Sequence, residues 1–299
     1  MIRYPNALDE IETAVSAEAK GWLKKAQTRT SLFAKLGRYT NEIEAATGKK
    51  KKLSDFWGDV KPIYMRRQYN KCVYCETRLE GGAAGNIQWD LEHFRPKSAV
   101  SRWPSAKSTL LYDFDMGDSA TVGYYLLAYH LHNYAAACKT CNSPYKSDHF
   151  PIGGERIFGL AHPDDYVGEK ALLVYPLGNG DDDPEDLITF TGERADPKYT
   201  KEQDLQKWRR GRVMIDFFDL NRDGLQAQRA AWLLAVWSNR LLADKGEPFA
   251  LKSLERLRSP RIPYSNCTKC FLDMCSANRP DAEKLIPILE EIVRISEDG

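Results

Sequence analysis

Asp90-Leu91-Glu92-His93-Phe94-Arg95-Pro96-Lys97 stands between two Cys-x-x-Cys pairs, Cys72-Val73-Tyr74-Cys75 and Cys138-Lys139-Thr140-Cys141, and its reading decides the fold of this chain. Between Cys75 and Cys138 lie 62 residues. Two thiolate pairs at x-x spacing supply a tetrahedral site of four sulfurs, which is closed, staples distant segments and does no chemistry. Cys72, Cys75, Cys138 and Cys141 are therefore the expected ligands of a structural Zn2+. The bland alternative is two pairs of buried, metal-free thiols.

Outward from this frame, Ile87–Phe94 sets Ile87, Trp89 and Leu91 against Gln88, Asp90 and Glu92, the period of a strand, and Pro96 ends it. Gly81–Asn86 reads as a loop, Thr121–His132 as a helix, and Asn133–Lys146 as a second strand or turn followed by a helix. Residues 5–47 carry helical spacing through Leu8, Ile11, Val15, Ala19, Trp22, Leu23, Leu32, Phe33, Leu36 and Ile43. Gly48 and the run Lys49–Lys52 break it, as a solvated loop or as a contact to a phosphate backbone. Leu53–Tyr69 predicts another helix, with Trp57, Val60, Ile63 and Tyr64 inward and Arg66-Arg67 near its end. Farther on, Leu172–Pro176 and Ile188–Gly192 read as short strands flanking an acidic turn. From Lys201 onward the pattern is mainly helical, interrupted at Gly224, Gly246-Glu247-Pro248 and Pro260–Pro263. The expected class is α+β, mainly helical, in three parts: an N-terminal helical region (1–69), a motif-bearing core (70–152) and a C-terminal, mostly helical region (153–299).

The 299 residues are 42% hydrophobic and suffice for a sizeable core. No apolar run approaches the ~18 residues of a membrane span. The start, Met1-Ile2-Arg3-Tyr4-Pro5, lacks an apolar signal core, and seven cysteines without such a signal fit a reducing cytoplasm better than a disulfide framework. The net charge of +1 hides an asymmetry. Residues 1–152 hold 22 Lys/Arg against 16 Asp/Glu, and residues 153–299 hold 21 against 26, so a nucleic acid would favour the first half.

Hydrolysis of a phosphodiester needs a base for water, a cation against the phosphate and leaving oxygen, and a group that orients the base. His93 can be the base. Glu92 can hold a hard cation such as Mg2+, with the amide oxygen of Asn142 as a second ligand. Asn133 can bond near His93 and fix its ring. On a regular strand Asp90 and Glu92 share a face and His93 points away, so the chain must twist near Phe94 for the two to converge. Two other features lead nowhere. Cys267, Cys270 and Cys275 lack a nearby fourth ligand, and Asp219–Gly224 imitates a calcium loop but has Ala230 where the bidentate Glu belongs.

Asp90-Leu91-Glu92-His93, Asn133, and Cys138-x-x-Cys141-Asn142 with Lys146 resemble an HNH endonuclease of the ββα-metal fold, whose pattern includes the nine-residue step from Asn133 to Asn142. More narrowly, Glu92–Lys97, Leu127-Ala128-Tyr129, Phe150-Pro151 and Phe218-Asp219-Leu220-Asn221 with Leu225 and Arg229 resemble the HNH subunit of bacterial Septu and retron anti-phage defence systems. The resemblance reaches from about residue 70 to about residue 230. It implies a one-metal nuclease using Mg2+ or Mn2+ on Glu92 and Asn142, with Asp90 as a rival or additional ligand, His93 activating water, and a 5′-phosphate product. It implies that Arg95, Lys97 and Lys146 grip the flanking backbone of a nucleic acid, with DNA ahead of RNA or tRNA. It implies an ABC- or AAA-type ATPase partner, since no phosphate-binding Gly-x-x-x-x-Gly-Lys-Ser/Thr loop is present here, and a reverse transcriptase with a non-coding RNA if the system is a retron. The chain departs from the family in having Ser147 where many members have glycine after the lysine, and in the long insert Ser98–His132. The competing reading is a catalytically silent, zinc-stabilised module that binds nucleic acid or protein.

Overall fold

The computed structural model describes residues 1–44 and 50–298; Gly48 and Lys49, expected to break the first helical stretch, lie outside them. The class is α+β and mainly helical. Contacts group the chain into two units rather than three parts. One comprises Tyr4–Cys72 with Leu79–Asp181, so the N-terminal helices share a unit with the Asp90–Lys97 motif. The other comprises Met1–Arg3, Val73–Arg78 and the chain from Asp182 onward.

In the first unit, α1 (Ala7–Glu18) and α2 (Trp22–Leu36) replace the single helical stretch, separated at Gly21, whose φ of +79° suits glycine. Ile11, Val15, Trp22 and Phe33 are buried, whereas Leu23 and Leu36 are exposed. Ile43 belongs to a strand, β1 (Glu42–Glu44), which pairs antiparallel with β2 (Lys50–Lys52). Lys50–Lys52 therefore form the edge of an exposed ribbon, not a loop. Of the next predicted helix, Trp57–Asp59 forms a 3-10 turn and Lys61–Arg67 an α-helix (α3), with Pro62 in its first turn, Ile63 and Tyr64 buried, and Arg66-Arg67 in its last turn. Gly82–Gln88 is a short helix (α4), which takes in most of the expected Gly81–Asn86 loop and the first two residues of the expected strand.

The centre of this unit is the antiparallel pair β3 (Trp89–His93) and β4 (Tyr134–Cys138), in register from Trp89↔Cys138 to His93↔Tyr134. Every residue of β4 is buried. Its outer edge is closed by Gln68, whose Nε2 donates to Ala136 O (2.8 Å) while its Oε1 accepts from Ala136 N (2.7 Å). A buried side chain thus satisfies a strand edge that would otherwise leave a donor and an acceptor unpaired. A π-helix, Cys141–Lys146, follows β4, as the sequence led one to expect of a helix there. Thr121–His132 is not a helix. Two short 3-10 turns stand there instead, Tyr125–Leu127 and Leu131–Asn133, because carbonyls of the segment accept from side chains elsewhere: Tyr64 Oη, for example, donates to Leu131 O at 2.5 Å. Leu172–Pro176 forms no ladder; the residues flanking it, Ala171 and Leu177, make single bridges to Ile152 and Tyr4.

The second unit opens with a one-turn helix α5 (Pro184–Leu187), capped by Asp183, and a hairpin of β5 (Ile188–Thr191) and β6 (Arg194–Pro197). Helices α6 (Leu205–Phe217), α7 (Asp223–Asp244), α8 (Pro248–Leu257), α9 (Ser265–Ala277) and α10 (Arg279–Asp298) follow. The link between α6 and α7 is a helix junction. Asn221 pairs with both backbone groups of Ala195 at 2.8 Å, and the buried Arg229 donates to Glu193 O and Leu220 O. The stretch 218–229 therefore clamps the hairpin. Trp237 is 9% exposed, and Cys267 and Cys275 are buried on α9. No helix among the described residues is long and apolar enough to cross a membrane.

Candidate active site and metal centre

Cys72, Cys75, Cys138 and Cys141 come together, with all four Sγ atoms within 4.8 Å of one another and none in a disulfide. An ion about 2.3 Å from each sulfur would place tetrahedral ligands ~3.8 Å apart, so the set can hold a metal such as zinc. Cys141 N donates to Cys138 Sγ at 3.4 Å, the backbone support that a thiolate ligand favours. Among the described residues no second cluster of this kind occurs, and Cys267, Cys270 and Cys275 form none. The register places Cys138 opposite Trp89 at one end of the β3–β4 pair and His93 at the other. Four strand steps, roughly 13 Å, separate the sulfur cluster's end of the sheet from the imidazole.

At the His93 end is a cavity of about 820 Å³ lined by Asp90, Glu92, His93, Lys97 and Asn142 from the predicted set. Asp55, Trp57 and Lys61, which sequence reasoning left out of the site, line it as well. Glu92 is 5% exposed and His93 8%, so both sit at the cavity's floor. His93 Nε2 lies 3.1 Å from Ala128 O. A carbonyl accepts only, so Nε2 carries the proton and Nδ1 keeps its lone pair. Burial, and then the Lys97 ammonium, hold the imidazole well below its ordinary pKa, so the ring is neutral. Trp57 and Tyr134 pack edge-on against it, at 5.1 and 5.0 Å between ring centres.

Glu92 Oε1 is 3.2 Å from the ammonium of Lys146, which is fully buried. Burial pushes the Glu92 carboxyl up to about 7, against the opposing pull of Lys146 and Lys97. Burial also lowers the Lys146 pKa, against the pull of Glu92. Asp90 accepts from Lys139 Nζ at 2.6 Å and lies 4.0 Å from Lys61 Nζ. Its Oδ2 also accepts from Asn142 Nδ2 at 3.1 Å. Fixing Nδ2 there fixes the amide and leaves Asn142 Oδ1 as the atom that could hold a cation. Asp90, expected as a rival metal ligand, is in this way engaged by cations and orients Asn142.

Three expected roles change. Asn133 does not bond the His93 ring. Its Oδ1 accepts from Arg95 N (2.8 Å), and its Nδ2 donates to Arg95 O (3.0 Å) and Leu127 O (3.2 Å). It ties the backbone two residues after His93 to that of Leu127, which precedes the Ala128 carbonyl that orients the ring. Arg95 does not line the cavity: it is buried in an ion pair with Glu169 and lies over the rings of Tyr124, Phe150 and Tyr166. Lys146, buried behind Glu92, is likewise not placed to grip a backbone. Lys97 lines the cavity, with Nζ 5.0 Å from the Trp57 ring centre. Its loop is pinned from the insert, where Gly123 N donates to Ser98 O (3.0 Å) and Tyr124 N to Pro96 O (2.8 Å). A Cβ on Gly123 would come within 2.5 Å of Pro96 O, so only glycine fits.

Ser147, which follows the π-helix, has a φ of +40°. His149 Nδ1 is 3.2 Å from Ser101 O. His130 and His132 gather with His162 instead of facing the cavity, with ring centres 4.9–5.7 Å apart. His132 Nε2 is 2.7 Å from Glu12 Oε1. The Nδ1 atoms of His130 and His162 accept from His132 N and Asp164 N, which caps two short helical turns. No family model matches the chain, and no curated protein or solved structure matches it either.

Proposed function

We propose that the chain is a metal-dependent HNH endonuclease, with β3, β4 and the π-helix after them as its ββα-metal core. The observation that carries this reading is the shared cavity: a neutral imidazole with a free Nδ1, a buried carboxylate and an oriented amide oxygen meet on one floor. His93 Nδ1 takes the proton of the attacking water, and the Ala128 carbonyl stabilises the ring as it becomes charged. Lys97 faces the phosphate and offsets its charge. Glu92 and Asn142 suit Mg2+ or Mn2+, which bind through one or two protein oxygens plus water and phosphate. When bound, such an ion stabilises charge on the phosphate and the leaving 3′ oxygen.

The substrate class is nucleic acid. The resemblance to Septu and retron subunits supports a role as the effector of a cytoplasmic anti-phage system gated by a separate ATPase. The test is cleavage of plasmid and of RNA with Mg2+ or Mn2+, alone and with the neighbouring ATPase. Cleavage by the wild type that EDTA, His93→Ala and Glu92→Gln each abolish supports the reading. Equal cleavage by wild type and His93→Ala refutes it.

A further inference from the structure

Trp57 was expected in the core, yet it lines the cavity beside the proposed catalytic floor, its ring 5.1 Å from that of His93. It is held there firmly. Its ring stacks on Tyr129 at 5.3 Å, and Tyr129 stacks on Phe56 at 4.2 Å. Tyr129 Oη donates to Asp55 Oδ1 at 3.2 Å, and the Arg29 guanidinium lies 5.5 Å from the ring centres of both Phe56 and Tyr129. This is a pre-formed aromatic column that ends at the cavity wall. Lys61 and Lys97 line the same space, Lys61 with its ammonium 4.4 Å from the Trp89 ring centre.

Two physical points then restrict the ligand. First, a phosphate reaches His93 and Glu92 only by entering the cavity, because both are more than nine-tenths buried. A duplex is stiff over ~150 base pairs and keeps its bases turned inward, so it cannot fold a single phosphate into such a recess without local opening. An unpaired strand bends freely and exposes its bases. Second, an indole with the Lys97 ammonium 5.0 Å from its ring centre, and Lys61 on the same cavity lining, combines aromatic contact for bases with cations for phosphates, as single-strand grooves do.

Resting on the nuclease reading above, we infer that the site takes an unpaired strand of nucleic acid, with Trp57 contacting a nucleobase next to the scissile phosphate and Lys61 and Lys97 contacting the backbone. Trp57 is a positioning residue for the substrate. The intact chain is tested in a His93→Ala background, so that binding is measured without cleavage. Fluorescence anisotropy compares a 12-nucleotide single strand, as DNA and as RNA, with the matching duplex at one salt concentration. The expected result is at least ten-fold tighter binding of a single strand than of the duplex. Trp57→Ala should then weaken single-strand binding about five-fold or more, and Trp57→Phe should keep it within two-fold. Duplex binding as tight as single-strand binding overturns the inference, as does a Trp57→Ala variant with unchanged affinity. A parallel assay, hydrolysis of bis(p-nitrophenyl) phosphate with Mn2+ by the chain carrying His93, separates the two failures. His93-dependent hydrolysis with a duplex preference sinks only the strand assignment. No hydrolysis and no binding of either form sinks the nuclease reading with it.

Discussion

His93 Nε2 and the carbonyl oxygen of Ala128 stand 3.1 Å apart, and this contact sets which imidazole nitrogen is available as a base. Because the carbonyl cannot donate, the neutral ring must be the Nε2–H tautomer. Long-range 1H–15N NMR on 15N-histidine-labelled protein should show a protonated Nε2 and an unprotonated Nδ1 for His93. The opposite assignment would remove the free lone pair on which the proposed chemistry depends.

Glu92 and Lys146 form a buried pair whose members depend on one another. Lys146→Met leaves a buried carboxylate without its cation and should cost about 3–5 kcal/mol in urea unfolding, reduced to the extent that Glu92 takes up a proton. Adding Glu92→Gln should recover part of that loss. A double variant no more stable than Lys146→Met alone would mean that the two groups are not coupled.

One zinc per chain is the expected metal content of protein purified under reducing conditions. Cys138→Ser should lose most of that zinc and fall several degrees in Tm, because the cluster joins segments distant in sequence. Atomic emission spectroscopy and calorimetry measure both. Two zincs per chain, or full retention by Cys138→Ser, would contradict the assignment.

The His130 pKa is pushed down to about 3 by burial, then by His132 and His162. An unfolded histidine takes up its proton near 6.5. Between these values the unfolded chain binds more protons, so stability climbs with pH through this window and is fully present above about 6.5. His130→Asn puts an oxygen near the position where Nδ1 accepts from His132 N and removes the titration. From pH 8 to pH 5 the wild type should lose more Tm than His130→Asn; parallel losses would show that His130 does not carry the acid sensitivity.

The parts of the fold legible in sequence were those set by period or by stop signals. Alternation around Trp89 and Leu91 marked β3, Gly246-Glu247-Pro248 marked the break before α8, and Cys-x-x-Cys spacing marked the sulfur cluster. The illegible parts depend on contacts distant in sequence. Thr121–His132 has helix-forming residues, but its Leu127, Ala128 and Leu131 carbonyls are taken by Asn133, His93 and Tyr64. Arg95 looks like a phosphate contact until Glu169, 74 residues away, neutralises it. Trp57 looks like core because apolar spacing does not distinguish a core wall from a cavity wall. A glutamate beside a histidine marked the site, but Lys146 as the buried partner of Glu92 left no local signal.

Chemical rescue tests the central claim most directly. His93→Gly should lose Mn2+-dependent cleavage of nucleic acid by about two orders of magnitude or more, and added imidazole should restore a measurable part of it in proportion to its unprotonated fraction. A His93→Gly variant that cleaves as well as the wild type, with no response to imidazole, would contradict the assignment of the base and with it the reading of the cavity.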